Sequence, residues 1–209
     1  MTTREVLLQG HFAIGQTRPI TLFAGLNVLE TPELTLDVAT TLKGLSERYG
    51  LNLIFKASWD KANRSSIHSY RGPGMEAGLE MLRVVKSELH LPIVTDIHQP
   101  EQAALVAEVA DIVQIPAFLC RQTDLLSEAC RTGRPLLIKK MQMMAPQETY
   151  NLIEKCRHLG QDNVLICERG TSFGYGNLVV DPLSFVHLRA SGVPVVFDVT
   201  HALQEPGGL

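Results

Sequence analysis

Leu51-Asn-Leu-Ile-Phe-Lys-Ala-Ser-Trp-Asp-Lys-Ala-Asn-Arg-Ser-Ser66 passes in one step from an apolar run, Leu51–Phe55, to two lysines, an arginine, an asparagine and three hydroxyls. Gly72-Pro-Gly74 follows soon after, so the segment reads as a strand end opening into a long polar loop. In α/β enzymes, chemistry sits on loops held by rigid strand ends. Lys56 and Lys61 offer point charges, Arg64 a bidentate fork, and Asn63, Ser65 and Ser66 neutral donors. That inventory suits a doubly anionic ligand; the plain alternative is a solvated basic loop. Asp60 keeps the local charge modest, which favours a small phosphorylated or carboxylated substrate over nucleic acid.

Outward from this stretch, short β-branched runs alternate with helical patterns. Strands are expected near Thr21–Ala24, Asn52–Lys56, Ile93–Thr95, Ile112–Ile115, Leu136–Lys139, Val164–Glu168 and Val195–Asp198. Each but the last is followed by a helical pattern. Leu34, Val38, Leu42 and Leu45 recur near the helical period and predict a helix over Leu34–Tyr49. Pro100 and Pro146 stand where helix starts tolerate proline. Val6–Leu8 and Phe12–Ile14 flank Gly10 as a small hairpin before the first strand.

Regular βα alternation implies a parallel sheet buried on both faces, either open or closed into a (β/α)8 barrel. No G-x-G-x-x-G follows the first strand, which removes the commonest reason for the open sheet. Polar or ionisable residues stand at nearly every strand end: Lys56, Asp96, Gln114, Lys139, Glu168 with Arg169, and Asp198. In a barrel those ends converge on one mouth, so the barrel is the expected fold. Only seven strands are found by Asp198. The chain is therefore expected to be a single TIM-barrel domain over residues 1–209, cut off after strand seven, with the eighth strand and last helices missing.

The whole chain has 209 residues, enough for one real core and too few for two ordinary domains. A net charge of -3 supplies no field toward nucleic acid or membrane. No apolar run approaches the ~20 residues that cross a bilayer, and the N-terminus has no signal core, so a cytoplasmic protein is expected. Cys120, Cys130, Cys156 and Cys167 are scattered without C-x-x-C spacing and read as packing residues in a reduced compartment.

Lys139-Lys140 ends the fifth strand and Glu168-Arg-Gly-Thr-Ser-Phe-Gly-Tyr-Gly-Asn177 ends the sixth. Adjacent barrel strands would set a lysine beside Arg169 as a phosphate clamp. Strand alternation lets at most one of Lys139 and Lys140 enter the mouth and does not say which. His201, in Asp198-Val-Thr-His201, suits an acid/base, a metal ligand or a structural role.

Taken together these motifs are specific. Lys56–Gly74, Gln114-Ile-Pro-Ala-Phe-Leu-Cys-Arg-Gln-Thr-Asp-Leu125 to Leu126, Glu168-Arg-Gly170 with Phe173-Gly-Tyr175, Asn177-Leu-Val-Val-Asp181 and Asp198-Val-Thr-His201 resemble the 3-deoxy-D-manno-octulosonate 8-phosphate synthase family. The resemblance runs from about Phe23 to Gly208. It implies a homotetrameric (β/α)8 barrel with an N-terminal hairpin across its base. The implied reaction condenses phosphoenolpyruvate with arabinose 5-phosphate and water and releases phosphate, in lipopolysaccharide precursor synthesis.

Carried residue by residue, the resemblance implies that Lys56, Ser58 and Lys61 hold the phosphoenolpyruvate carboxylate, with Gln114 nearby. Lys139, chosen over Lys140 on this ground, would hold the phosphate with Arg169 and the Ala117 backbone. Asn63 and Ser65 would bind the sugar phosphate, joined by Arg64 from a neighbouring subunit. Asp96, His98 and Phe118 would line the sugar channel. Lys61, Asn27, His201 and Asp96 are the expected catalytic set.

Trp59 and Met143 stand where the family usually has phenylalanine. A glutamate of the family's eighth strand and an aspartate of the loop beyond it have no counterpart here. An incomplete record of a full enzyme is expected, rather than a shortened, inactive barrel. Metal-dependent members have a cysteine where this chain has Asn27, and a neutral amide binds zinc or iron weakly. No metal and no other cofactor are therefore expected, and Asn27 and His201 are read as orienting the attacking water or the sugar. The rival family joins phosphoenolpyruvate to erythrose 4-phosphate and typically carries Lys-Pro-Arg-Thr where this chain has Lys61-Ala-Asn-Arg64.

Overall fold

The computed structural model describes residues 3–205; the ends of the expected domain, including Pro206–Leu209 of the final loop, lie outside them. The chain opens with a hairpin of β1 (Val6–Leu7) and β2 (Ala13–Ile14), paired antiparallel. Then come β3 (Thr21–Leu26), α1 (Pro32–Tyr49), β4 (Asn52–Ala57), α2 (Met75–Leu89), β5 (Ile93–Asp96), α3 (Gln102–Val109) and β6 (Ile112–Ile115). They are followed by α4 (Thr123–Arg131), β7 (Leu136–Lys139), α5 (Thr149–His158) and β8 (Val164–Glu168). A second hairpin, β9 (Thr171–Phe173) with β10 (Asn177–Val179), precedes α6 (Pro182–Ala190) and β11 (Val195–Phe197).

The large sheet has seven parallel strands, β3, β4, β5, β6, β7, β8 and β11, laid side by side in chain order. Its edges β3 and β11 line common cavities of about 420 and 530 Å³, so the sheet curls until its first and last strands face one another. This is the seven-strand part of the barrel that the βα alternation predicts. A Cβ at Gly25 would lie 2.2 Å from the Lys56 carbonyl oxygen, so glycine is what lets β3 run in register with β4 through Lys56.

Strand alternation divides the core in two. Outward side chains such as Leu53, Phe55, Ile93, Val113, Leu136, Ile138, Val164 and Ile166 pack under the helices. Inward side chains Ile54, Val94, Ile112, Leu137 and Leu165 pack together around Val6, Leu8 and Ile14 of the first hairpin, which stops the base.

Helix starts follow local chemistry. Thr31 caps α1, its Oγ1 accepting from the Leu34 N–H at 3.2 Å with Pro32 in the first turn; Asp181 caps α6 through the Leu183 N–H at 2.9 Å. Pro146 opens a 3-10 turn before α5.

Three expectations need correction. The buried residues of α1 are Thr35, Ala39 and Ser46, flanked by Val38 and Leu42, whereas Leu34 and Leu45 are exposed. Small residues let α1 approach its neighbours closely, so the stripe chosen by hydrophobicity lies off the contact face. Strand seven ends at Phe197, because Asp198 turns away to cap the turn that follows. The strand Val164–Glu168, expected to lead into a helical pattern, leads first into the β9–β10 hairpin and only then into α6.

Candidate active site

The C-terminal ends of the strands surround a cavity of about 370 Å³. Lys56 comes from β4, Lys61, Asn63, Arg64 and Ser65 from the loop after it, and Asp96 and His98 from the end of β5. Gln114 comes from β6, Ala117 and Phe118 from the turn after it, Lys139 from β7 and Arg169 from the end of β8. Asn27, after β3, and His201, after β11, complete the wall. Every residue that the resemblance assigns to the site lines this one cavity except Ser58, whereas Ser66, Glu168 and Asp198, also noted from sequence, do not. A second cavity, between β3 and β11, adjoins it and shares Asn27, Lys56, Gln114, Lys139 and His201.

Ser58 is buried behind the wall. It takes a hydrogen bond from Lys61 Nζ at 2.9 Å and donates to Asp96 Oδ2 at 3.1 Å, linking the two charges instead of facing the cavity. Arg64, expected to act across a subunit boundary, stands at the exposed rim of its own chain's cavity. Phe118 is also half-exposed at the rim.

The lining carries five cations, Lys56, Lys61, Arg64, Lys139 and Arg169, against two carboxylates, Asp60 and Asp96. Asp60 is already engaged by Arg71, with Arg71 Nε donating at 2.9 Å, and this pair closes the base of the loop bearing Lys61–Ser65. Burial and the neighbouring Lys139 push the Lys56 ammonium below its usual range. Burial, only partly offset by Asp96, brings Lys61 down to about 8. Such crowding of desolvated cations is unfavourable until an anion enters.

Asp96 meets the opposite balance. Burial alone would raise its pKa, but His98, whose Nε2 lies 3.6 Å from Oδ2, and the charges of Lys61 and Lys56 outweigh burial and keep it ionised. Trp59 supports this corner: its Nε1–H donates to the Asp96 carbonyl at 2.8 Å and its ring meets His98 edge-on at 5.3 Å. A Cβ at Gly72 would sit 2.3 Å from the Trp59 carbonyl oxygen, so that close turn requires glycine.

Asp198 is the residue that sequence reasoning left out of the site. It pairs with Lys139 and accepts from His201 Nδ1 at 2.8 Å and from the His201 backbone N–H at 3.0 Å. Burial opposes its charge, yet those bonds and Lys139 hold its carboxyl well below the usual range. Ionised Asp198 makes Nδ1 the protonated nitrogen and leaves the Nε2 lone pair of His201 available. The Asp198 bond favours imidazolium, but burial with Lys139 and Lys56 prevails and lowers the His201 pKa, so the ring is neutral at neutral pH. The signal for Asp198 was present as a strand-end carboxylate. Gln142 and Gln204 also line the cavity, and nothing in their local sequence marks them.

Unpartnered buried atoms gather here: Asp96 Oδ1, His98 Nδ1, Gln114 Oε1, Gln142 Oε1 and Arg169 Nη1. Buried polar atoms are nearly always hydrogen-bonded, so a group of such atoms on one wall points to a polar ligand. Arg169 Nη2 reaches Gln204 Oε1 at 3.0 Å. By contrast a larger concavity, about 820 Å³, lies at the opposite ends of the strands between the first hairpin, α3 and α4, and none of the unpartnered atoms lines it. No helix among the described residues is long and apolar enough to cross a membrane.

Comparison with known proteins agrees in one direction. Residues 3–209 match the model of the DAHP synthetase I family. The chain is 53% identical over 209 residues to a 2-dehydro-3-deoxyphosphooctonate aldolase of Hahella chejuensis, covering 100% of this chain and 74% of the relative. A protein of the same name from Marinobacter nauticus is 54% identical over 195 residues, covering 93% and 69%. Its namesake from Acinetobacter baylyi is 50% identical over 205 residues, covering 98% and 72%.

Proposed function

The chain belongs to the DAHP synthetase I family and, within it, to the 2-dehydro-3-deoxyphosphooctonate aldolases, and on that premise we propose how its cavity works. It condenses phosphoenolpyruvate with arabinose 5-phosphate and water, giving 3-deoxy-D-manno-octulosonate 8-phosphate and phosphate for lipopolysaccharide synthesis. One observation carries the proposal: a single cavity holds Lys56, Lys61, Lys139 and Arg169 and a row of unpartnered polar atoms, a fit for two anionic substrates that repel one another.

In this mechanism Lys139 and Arg169 hold the phosphate of phosphoenolpyruvate, with the Ala117 backbone beside them. Lys56 and Lys61 hold its carboxylate, Gln114 lies nearby, and Ser58 acts through Lys61. Asn63 and Ser65 take the sugar phosphate at the outer rim, joined by Arg64 of a neighbouring subunit, while Asp96, His98 and Phe118 border the path of the sugar between the two sites. C3 of the enol attacks the aldehyde carbon, the carbonyl π bond opens so that its oxygen takes up a proton and becomes the new hydroxyl, and positive charge develops at C2. Water adds to C2, passing its proton toward Nε2 of neutral His201, with Asn27 helping to orient it. The tetrahedral intermediate then expels phosphate. Aligning the two anions and offsetting their repulsion is the protein's main contribution. No metal takes part, since Asn27 is a poor ligand for zinc or iron.

The chain acts as one barrel domain over residues 1–209 and works in the cytoplasm as a homotetramer. Arg64, at the exposed rim, serves the site of a neighbouring subunit. Mixed tetramers of Arg64→Ala with a second inactive variant would then recover activity; absence of recovery places Arg64 within its own subunit.

Steady-state assays of phosphate release with arabinose 5-phosphate and with erythrose 4-phosphate test the substrate. Faster turnover of erythrose 4-phosphate would overturn the proposal. The Lys61-Ala-Asn-Arg64 sequence and the names of the relatives near 50% identity favour the five-carbon sugar.

A further inference from the structure

Lys139 and Lys140 are consecutive, yet only Lys139 faces the cavity. Lys140 belongs to the outward series Leu136, Ile138, Lys140, beneath the helices, where its side chain is fully buried. Its Nζ lies 3.5 Å from Glu168 Oε1, the outward carboxylate at the end of β8, which is 1 % exposed. The same ammonium donates to Thr171 Oγ1 at 3.0 Å and to the carbonyls of Met144 and Met141 at 3.3 and 3.4 Å. Glu168 Oε1 in turn accepts the backbone N–H groups of Arg169 at 2.9 Å and Gly170 at 2.7 Å.

One buried pair therefore ties the loop after β7, the start of the β9–β10 hairpin and the backbone from which Arg169 enters the cavity. Burying two charges costs more than packing apolar groups in their place, so stability alone does not account for the pair. A guanidinium that must meet a phosphate needs a fixed origin, because misplacement by about 1 Å weakens a charge-assisted contact severely.

We infer that Lys140 and Glu168 are positioning residues, which hold the Arg169 backbone so that its guanidinium is aimed at the phosphate of the cavity's ligand. The inference rests on the phosphoenolpyruvate reading above for the identity of that phosphate. It specifies a job for the pair that ordinary stabilisation does not.

Three variants test it: Glu168→Gln, Lys140→Met and the double variant Lys140→Met with Glu168→Gln. A single variant leaves one buried charge unpaired and lowers the Tm; the double variant removes both charges. We expect the double variant to recover wild-type Tm while its KM for phosphoenolpyruvate stays at least tenfold raised and its KM for arabinose 5-phosphate moves less than twofold. A pair that only stabilises the fold would recover both, and that result would overturn the inference. Hydrogen–deuterium exchange at the Arg169 and Gly170 amides gives a readout free of the assay. Exchange there should quicken at least tenfold in the double variant relative to the amides of Leu165 and Ile166. Unchanged exchange at those two amides overturns the inference whatever the activity, whereas wild-type protein without turnover or phosphoenolpyruvate binding overturns only the functional reading.

Discussion

The inner face of the sheet changes character within two residues along each strand. Ile54, Val94, Ile112, Leu137 and Leu165 form an apolar layer over the hairpin stopper, and two positions further on stand Lys56, Asp96, Gln114, Lys139 and Cys167. Both layers are shielded from bulk water, but their energetics are opposite. Each buried aliphatic side chain below contributes about 1.5–3 kcal/mol to folding. Above it, desolvated cations lean on few carboxylates and the tool of recognition is bought at the expense of stability. The lower layer holds the barrel together so that the upper one can stay unsatisfied until a ligand arrives.

The largest expected effect separates the layers by function. Arg169→Met and Lys139→Met should each lower kcat/KM for phosphoenolpyruvate by roughly 2–5 kcal/mol, a thirtyfold to several-thousandfold loss. Arg169→Met should leave the Tm unchanged or raised, because it removes a buried cation with an unpartnered nitrogen. A Tm drop like that of a core truncation would show the upper layer to be structural after all.

Leu137→Ala probes the other side. Leu137 is 1% exposed, and its truncation should cost about 3 kcal/mol of stability by denaturant titration. Both KM values should stay within twofold of wild type in the folded protein. A tenfold rise in either would mean that the apolar layer sets the geometry of the polar one.

A pH series should move the two properties in opposite directions. Lys61 is held at about 8, and it must be charged to bind a carboxylate, so kcat/KM for phosphoenolpyruvate should fall about tenfold per pH unit above that value. Unfolded, Lys61 titrates near 10.5, so between about 8 and 10.5 the unfolded chain binds more protons and this residue's contribution makes stability rise with pH. Lys61→Arg should abolish the inflection near 8. Its persistence would assign that titration to another group.

The smallest expected effect is none. Dialysis against EDTA should leave activity unchanged, since the upper layer is proposed to work through fixed side chains with Asn27 at the metal-dependent branch's cysteine position. Loss of activity restored by a divalent metal would refute this.

Much of the fold was legible because its signals are local. Apolar runs such as Leu136–Ile138 and Val164–Ile166 bound strands by themselves, and Pro146 stands at the turn that leads into α5. The hairpin Thr171–Val179 was not legible, since its exposed residues make short pairings that no buried face enforces. Most of the candidate site was legible as strand-end chemistry. Gln204 was not, because its partner Arg169 lies thirty-five residues away in sequence.

By itself the sequence determined seven parallel strands in chain order and a mouth ringed by Lys56, Asp96, Gln114, Lys139 and Arg169, because strand runs and the polar residues that end them are written contiguously. Strand alternation left Lys139 and Lys140 open and the family resemblance chose Lys139, but only the tertiary structure decided that Lys140 is buried outward against Glu168, that Ser58 bridges Lys61 to Asp96 behind the wall, and that α1 buries Thr35 and Ala39 in place of Leu34. Alternation says only that neighbours along a strand face opposite ways. Which of them faces the ligand depends on how each strand registers against partners far away in the chain, and on which side of the sheet the helices come to lie.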